Sequence, residues 1–470
     1  MVLKIRPAGN QTLRELLFRK GVCLPGACGG RGRCQRCKVK VNGKPLLACQ
    51  YVPQIPVVVE INEPLPSSPP QFKIHTSKFK PQNLNLTVAV DIGTTTITLA
   101  AVHPPSKRPV QTTTILNPQA QFGADVITRI ANLKQVKKIR LTAIIRQFIK
   151  ETGIDHRRRV TVVGNTVMMH FLFGKNPAPL GFYPYRPVLP LRQVVKARID
   201  GLHILTLPLA GSFIGSDCTA AIIASGIYKS EQPVLLIDAG TNGELVLGNK
   251  YRLLACSTAA GPAFEGATLN CGSLYQPGAV VAADYQSGVW KLKTVHNLPP
   301  RSLCGSGVLD VVAAGIRSGL ISPSGRLVHN RQLIVYEQAD RTVYLSQSDL
   351  REIQLAKAAI TTGIRMLLKK WFGTDRQPDG QISRVVLTGR FGNRINPASA
   401  FTIGLFPRFT KTPIRQHPNL ALAGAIQASI TPALWATAEK FAWQIEELRL
   451  AEQPEFESIF VQEMELKEWE

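Results

Sequence analysis

Acidic residues are scarce in this chain of 470 residues: 31 Asp and Glu face 56 Lys and Arg, a formal net charge of +25. Aromatic residues are also few, at 7%. A basic excess raises the question of nucleic acid, but the cations are spread along the chain, few rings are present to stack on bases, and no nucleic-acid-binding motif is legible, so a dedicated nucleic-acid role is set aside. Lys137-Lys138 and Arg157-Arg158-Arg159 read as solvated faces. No apolar run reaches the roughly eighteen residues of a membrane span, and the N-terminus carries no apolar run of signal-peptide length. The nine cysteines show no disulfide framework, which fits a reducing compartment. The expectation is a cytoplasmic protein with no membrane partner. Nothing matches GxxxxGK[ST], so a P-loop is disfavoured. The eight histidines are scattered, and His170 reads as a satisfied core residue.

Four of the cysteines are grouped. Cys28, Cys34 and Cys37 lie in one Gly-rich loop and Cys49 follows after a short strand. Three thiolates from one loop and a fourth from beyond it can hold two tetrahedral irons, and the plant-type 2Fe-2S spacing differs only in its first gap. Gly29, Gly30 and Gly32 suit a loop that needs positive φ and N–H groups aimed at sulfur. Structural zinc is the alternative, since Cys34-x-x-Cys37 is a common half-site, although zinc ribbons usually show two such knuckles. Cys23 reads as a spare thiol or core residue that could replace Cys28 as a ligand.

The surrounding periodicity predicts a β-grasp ferredoxin domain over 1–63. Strands are expected at 2–6, 38–41 and 57–61, a helix over 12–19, and a turn at Asn42-Gly43. Residues 64–85, rich in Pro and Ser, read as a semi-rigid linker. The rest is too long for one core and divides by a weak internal repeat. Val88-Ala89-Val90-Asp91-Ile92-Gly93-Thr94-Thr95-Thr96 is echoed by Leu235-Leu236-Ile237-Asp238-Ala239-Gly240-Thr241-Asn242-Gly243. Each copy is an apolar strand ending in Asp-x-Gly-Thr. Facing each other, the two hairpins would clamp a polyphosphate through N–H groups and hydroxyls, with Asp91 and Asp238 holding Mg²⁺ through water.

These hairpins resemble the phosphate-1 and phosphate-2 motifs of the superfamily of acetate and sugar kinases, heat-shock chaperone ATPases and actin. Residues 214–221, with Asp217, are similar to its first connecting helix, 385–392 to its adenosine motif with Gly389 and Gly392, and 421–425 to its second connecting helix. A ferredoxin fused to such an ATPase resembles the reductive activators of corrinoid proteins, and 164–170, 259–266, 303–307 and 349–357 fit that family too. The resemblance implies a two-lobed, actin-like α/β ATPase of duplicated ribonuclease H-like type: lobe I at 86–230, lobe II with a return helix at 231–436, and an acidic segment at 437–470. It implies ATP, Mg²⁺ and a 2Fe-2S cluster as cofactors. It implies as partners a low-potential electron donor and a corrinoid protein of a methyltransferase system, with a homodimer left open. Two departures stand out. Arg390 replaces the second Gly of the adenosine motif, where it could stack on adenine or reach a phosphate. The linker also runs almost directly into the first hairpin, which leaves no room for the extra middle domain of longer relatives.

The implied activity is ATP-driven reduction of cobalt(II) to cobalt(I), with closure of the two lobes on nucleotide changing the grip on the client. A cobalt couple about 200 mV below the cluster's asks roughly 4.6 kcal/mol per electron, which nucleotide could offset. Glu244 and Glu265 are candidates for orienting water or metal, with a surface or capping carboxylate as the plainer reading. A small-molecule kinase and a non-catalytic regulator that binds nucleotide and cluster remain as alternatives. Charge is unevenly placed: residues 1–60 hold eleven Lys/Arg against two Asp/Glu, suited to steering toward an acidic redox partner, whereas 439–470 hold ten Glu against three Lys/Arg. The acidic stretch either folds back on the basic module or solubilises a terminal helix.

Overall fold

The computed structural model describes the chain apart from residues 21, 23, 25–27, 29, 33–36, 62–84, 156, 267, 330, 339–340, 375–378 and 470 and the side chains of Phe18, Arg19 and Arg390. The proposed linker therefore lies, but for residue 85, outside the described residues. The chain forms two compact units, Met1–Asp217 with Ala425–Ala436, and Cys218–Gly424 with Thr437–Glu470.

Unit 1 begins with β1 (Val2–Ile5), β2 (Lys38–Val41), β3 (Lys44–Leu47) and β4 (Val57–Glu60), ordered β1-β4-β2-β3 with every pairing antiparallel. Alternation along the strands buries Ile5, Val39, Val41, Val57 and Val59 against Leu13, Leu16 and Leu17 of the helix Leu13–Arg19. Thr12 and Glu15 close that helix's first turn reciprocally: the Glu15 carboxylate accepts from the Thr12 N–H at 2.8 Å, and the Thr12 hydroxyl accepts from the Glu15 N–H at 3.3 Å. Asn42 and Gly43, both at positive φ, make the two-residue turn between β2 and β3.

The larger sheet of unit 1 contains β5 (Thr87–Ile92), β6 (Thr96–His103), β7 (Arg108–Leu116), β8 (Arg159–Gly164), β9 (Val195–Ile199) and β10 (Leu202–Thr206), in the order β7-β6-β5-β8-β10-β9. Strands β5 to β7 form an antiparallel meander, and β8 runs parallel to both β5 and β10. Val88, Val90, Val160 and Val162 pack with Ile145, Phe148 and Ile149 of the amphipathic helix Leu141–Thr152. Arg14, buried on the helix Leu13–Arg19, donates to the carbonyl of Leu24 at 3.3 Å and to that of Gln121, in the turn after β7.

Unit 2 repeats this plan. Strands β11 (Val234–Ala239), β12 (Gly243–Gly248) and β13 (Leu253–Thr258) form the meander. Inserted after them are a three-stranded sheet of β14 (Ala279–Gln286), β15 (Val289–Thr294) and β16 (Ser302–Leu303), and the hairpin of β17 (Gln332–Gln338) and β18 (Arg341–Ser346). The main sheet is completed by β19 (Arg384–Thr388), β20 (Ile414–Gln416) and β21 (Ile445–Glu447), in the order β20-β19-β11-β12-β13-β21, with β19 parallel to β11. The long helix Gln347–Phe372 opens on a Ser346/Asp349 capping box and ends at Gly373, whose φ is +74°.

The acidic C-terminal stretch is paired within unit 2. Glu463 bridges Lys357 at 2.7 Å and Arg365 at 2.5 Å, Glu455 meets Lys369 at 3.0 Å, and Glu468 meets Arg408 at 2.7 Å. Three of these cations lie on the long helix, so the stretch is an integral layer of this unit, whose basic partners are scattered too widely in sequence for composition to reveal them.

Candidate functional site

In unit 1 the register of β5 sets Asp91 opposite Thr98 on β6 and Val163 on β8, one residue before the strand ends. The chain then turns through Gly93, where a Cβ would stand 2.9 Å from the Thr96 carbonyl oxygen and clash. Three segments hold this loop. Asn117 donates its side-chain N–H to the Gly93 carbonyl at 2.8 Å and its backbone N–H to the Thr95 carbonyl at 2.8 Å. The fully buried guanidinium of Arg129 donates to the Thr94 carbonyl and, at 2.9 Å, to that of Gly123. Asn165 donates to the Thr94 hydroxyl at 2.9 Å and caps the helix Thr166–Leu172 by accepting from the Met168 N–H at 2.9 Å.

The start of the first connecting helix joins the same place. A Cβ on Gly215 would lie within 2.6 Å of the Asn165 Cα, the Asp217 Oδ1 and the Gly164 carbonyl oxygen, so no side chain fits there. The Ser216 hydroxyl accepts from the Gly164 N–H and donates to the Gly164 carbonyl, both at 3.1 Å. Asp91, Gly93, Thr94 and Asp217 are thereby gathered at one end of the sheet. Thr95 and Thr96 complete the turn into β6. His170 is a core residue, as read from the sequence: its Nδ1 faces the Thr166 carbonyl at 2.7 Å, and its Nε2 accepts from Val188 and Leu189 at 2.9 and 3.1 Å. Burial pushes its pKa down, which keeps the ring neutral.

In unit 2, Asp238 pairs with Glu244 on β12 and with Thr388 on β19. Gly389 follows at φ +88°, and a Cβ there would sit 2.3 Å from the Asp238 Oδ1 and 2.6 Å from the Ala239 carbonyl oxygen. The equivalent point of unit 1 is Gly164, where a Cβ would meet the Ile92 carbonyl oxygen at 2.6 Å. In both halves the parallel neighbour of the Asp-bearing strand thus has a glycine at its end, the last residue of β8 and the first after β19, where other atoms come too close for anything larger. Gly240 donates to the Asn242 carbonyl at 3.2 Å, and Gly243 opens β12. The Thr241 hydroxyl donates to the Glu265 carboxylate at 2.7 Å, with both side chains buried. Glu244 and Glu265 are 8% and 7% exposed, which excludes the surface half of the plainer reading and leaves its capping half. Gly392 closes the short helix Gly389–Gly392, in which Phe391 stacks on Phe264 at 4.5 Å between ring centroids. The side chain of Arg390 lies outside the described set.

Of the four grouped cysteines, Cys34 lies outside the described residues. Cys37 and Cys49 are buried and Cys28 is half-buried. Burial, with a hydrogen bond to Cys49, pushes the Cys37 thiol up to about 11. Gln50 donates to the Cys49 sulfur at 3.7 Å and also to the Gly30 carbonyl, tying the loop to the fourth cysteine, while Gly30 and Gly32 take φ of +93° and +74°. Two paired thiols with an amide N–H on sulfur are the donor chemistry a thiolate-bound metal group requires. Among the described residues, no group of three or more His, Cys, Asp or Glu is arranged to hold a metal ion.

The sequence reading passed over 117–129, which supplies two of the three braces on the first loop. Its local signals were Asn117-Pro118, the cap and first residue of a 3₁₀ turn over Pro118–Phe122, and Asp125, which accepts from the Thr128 N–H at 2.7 Å. Both read as ordinary turn chemistry.

Residues 232–470 match the family described as the C-terminal domain of RACo, the ASKHA domain. The chain belongs to the RACo family. Residues 86–230 match the RACo middle region. This corrects the expectation of no room for a middle domain: the stretch from β5 onward, taken as the first ATPase lobe, is what the family calls its middle region. Among relatives, the corrinoid activation enzyme RamQ of Eubacterium limosum is 31% identical over 381 residues, 72% of this chain and 63% of RamQ. The [Co(II) methylated amine-specific corrinoid protein] reductase of Methanosarcina barkeri is 22% identical over 259 residues, 50% of this chain and 46% of that protein. The matches thus span about half to two-thirds of these relatives. A solved structure of a reductive activator for a corrinoid iron-sulfur protein covers 100% of this chain, which covers 79% of it, at 25% identity and a TM-score of 0.73. The actin-like ASKHA fold of this RACo-family chain agrees with its duplicated sheets. No helix among the described residues is long and apolar enough to cross a membrane.

Proposed function

We propose that the chain is an ATP-dependent reductive activator that passes a low-potential electron to the corrinoid protein of a methyltransferase system, taking cobalt(II) to cobalt(I). The observation that carries the reading is the likeness to a reductive activator along the whole chain, cysteine-bearing module included. The names of the two curated relatives, an activation enzyme and a reductase of corrinoid proteins, support it.

The N-terminal module is read as a ferredoxin, in which Cys28, Cys34, Cys37 and Cys49 would hold a 2Fe-2S cluster. When bound, such a group supplies one-electron transfer. The chain's part is to aim the Gln50 N–H at the Cys49 sulfur, which favours a thiolate there, and to bury Cys37 and Cys49, which shields the group they would hold. In the ATPase part, the N–H groups of Gly93 to Thr96 and those of Gly240 to Gly243 are read as phosphate donors, Asp91 and Asp238 each as a carboxylate for water-mediated Mg²⁺, and Asp217 as a further nucleotide-binding residue. Gly389 and Gly392 admit the nucleoside, with Arg390 beside it. Glu265 accepts the hydrogen bond of the Thr241 hydroxyl, which leaves the Thr241 N–H for phosphate, and Glu265 acts as a positioning residue. Glu244, the register partner of Asp238, is read as the residue that orients water or metal. The module's positive charge suits an acidic electron donor, and the protein is read as cytoplasmic and compatible with a homodimer.

The test gives anaerobically reduced protein ATP and a cobalt(II) corrinoid protein and follows the cobalt(I) spectrum. Growth of that spectrum only with ATP is expected. Phosphate transferred to a small alcohol or acid, with no change at cobalt, would replace this reading with a kinase.

A further inference from the structure

Strand β8 opens on Arg159, and the register of the sheet makes that residue the start of a basic row. Arg159 pairs with His203 on β10, and His203 pairs with Arg198 on β9. Directly paired residues share one face of a sheet, so two guanidinium groups flank an imidazole on strands spaced about 4.8 Å apart. All three residues are exposed, and none has an ion pair or side-chain hydrogen bond among the described residues. Lys196, two residues before Arg198, lies on the same face and is exposed as well. The carboxylates nearest in sequence are engaged elsewhere: Asp155 meets Arg157 at 3.6 Å, while Asp200 meets Arg140 at 3.7 Å and accepts from the Thr142 hydroxyl at 2.5 Å. Residues 156–199 hold eight Lys and Arg and no Asp or Glu, so this part of unit 1 cannot neutralise the row from within.

We infer that the row formed by Arg159, His203 and Arg198 is a docking surface for an acidic face of the corrinoid protein, an inference that rests on the activator reading given above. Cations also guard an edge strand against pairing with other chains, and β9 is an edge of this sheet. That role accounts for Lys196 and Arg198. It does not account for Arg159, which stands two strands further in, on β8 between β5 and β10. The row is also well placed for a partner that must leave the nucleotide loop open. Asp91 faces Val163 on β8, four residues after Arg159, so the row lies about 13 Å along the strand from the loop that follows Asp91. The same sheet carries both. Fixed, unneutralised cations speed the encounter with an acidic surface and set its orientation. The positive charge of the N-terminal module suits the electron donor, so the two basic surfaces serve two different partners.

The test follows cobalt(I) formation by the full chain against the concentration of cobalt(II) corrinoid protein, at low and high salt, with binding of that protein titrated separately. In the double variant Arg159→Gln with Arg198→Gln, KM for the corrinoid protein should rise about tenfold at low salt and return toward wild type at about 1 M salt. Its kcat, ATP affinity and melting temperature should match wild type, because neither arginine has a partner to lose. Lys137→Gln with Lys138→Gln removes the same charge elsewhere in unit 1 and should move KM by less than about twofold. An unchanged KM in the first variant overturns the inference. So does an equal rise in the second, which marks net charge and not the row. Loss of duplex DNA binding in the first variant, with corrinoid affinity unchanged, overturns it in favour of nucleic acid. Should the double variant self-associate or fail to fold, Arg159→Gln alone, away from the edge, decides: a rise of about threefold in KM is expected, and a wild-type KM overturns the inference. A wild-type protein that neither binds nor reduces the corrinoid protein would remove the activator reading itself, and this inference with it.

Discussion

Replacing Glu463 by Gln should cost unit 2 about 3 kcal/mol, the low end of the range for breaking a buried ion pair by removing one partner. The Lys357 side chain is 1% exposed, and its ammonium has three acceptors: the Glu463 carboxylate at 2.7 Å, the Glu463 carbonyl at 2.9 Å and the Glu465 carbonyl at 3.0 Å. The substitution removes only the charged acceptor and leaves both carbonyls, which is why the low end applies. Arg365, the other partner, is 17% exposed and can turn to water, so it adds little. Burial already holds the Lys357 pKa below the usual lysine range, and the Glu463 charge works against that shift. Without that charge the folded-state pKa drops further. Because the folded state then binds fewer protons than the unfolded one, the penalty is full below the folded pKa and relieved as pH climbs toward the ordinary lysine value. The variant should therefore regain stability on the alkaline side more steeply than wild type. Urea unfolding of the unit 2 transition, followed across pH, measures both effects. The double variant Lys357→Met with Glu463→Gln should recover most of the loss. A single variant within about 0.5 kcal/mol of wild type, or a flat alkaline profile, would refute the claim that a buried ammonium depends on this carboxylate.

Three other substitutions have defined outcomes. Gly389→Ala places a Cβ against Asp238 and Ala239 at positive φ, so nucleotide affinity should fall at least about tenfold and the melting temperature should drop, read by ligand titration and thermal unfolding. Cys49→Ser should cost the anaerobically purified protein its visible absorbance and most of its iron and sulfide; a colourless wild-type protein rich in zinc would point to the structural metal instead. Burial raises the Asp379 pKa, but hydrogen bonds from Thr410, Lys411 and Thr412 outweigh it and hold the carboxyl at about 2. Its stabilisation is present above the unfolded pKa near 4 and lost as pH falls toward 2, so Asp379→Asn should be less stable at neutral pH and flatter across that acid window in a melting series.

The hairpins at 88–96 and 235–243 were legible because their chemistry is local: a strand, a carboxylate at its end, then residues that permit a tight turn. The duplicated sheet order follows from that repeat. What surrounds the first loop was not legible, because Asn117, Arg129 and Asn165 come from three separate segments and each has an unremarkable local role as a cap or helix residue. Glu265 illustrates the same limit, since its partner Thr241 lies in another element and burial, not spacing, separates it from a surface carboxylate. The acidic terminus was visible as charge, but its partners on the long helix are spaced along nearly a hundred residues of intervening sequence. The cysteine spacing could suggest a ligand set, whereas the pairing of Cys37 with Cys49 depends on β2 and β3 folding back on one another.

The bond from Arg14 to the Gln121 carbonyl fastens the cysteine-bearing module to the very turn that carries Asn117. Whatever free energy an occupant of the loop spends in displacing that turn, an event in the module that displaces the helix must meet in equal measure. Midpoint potentials taken with and without nucleotide, and nucleotide affinities taken in the oxidised and reduced states, should then differ by one common factor.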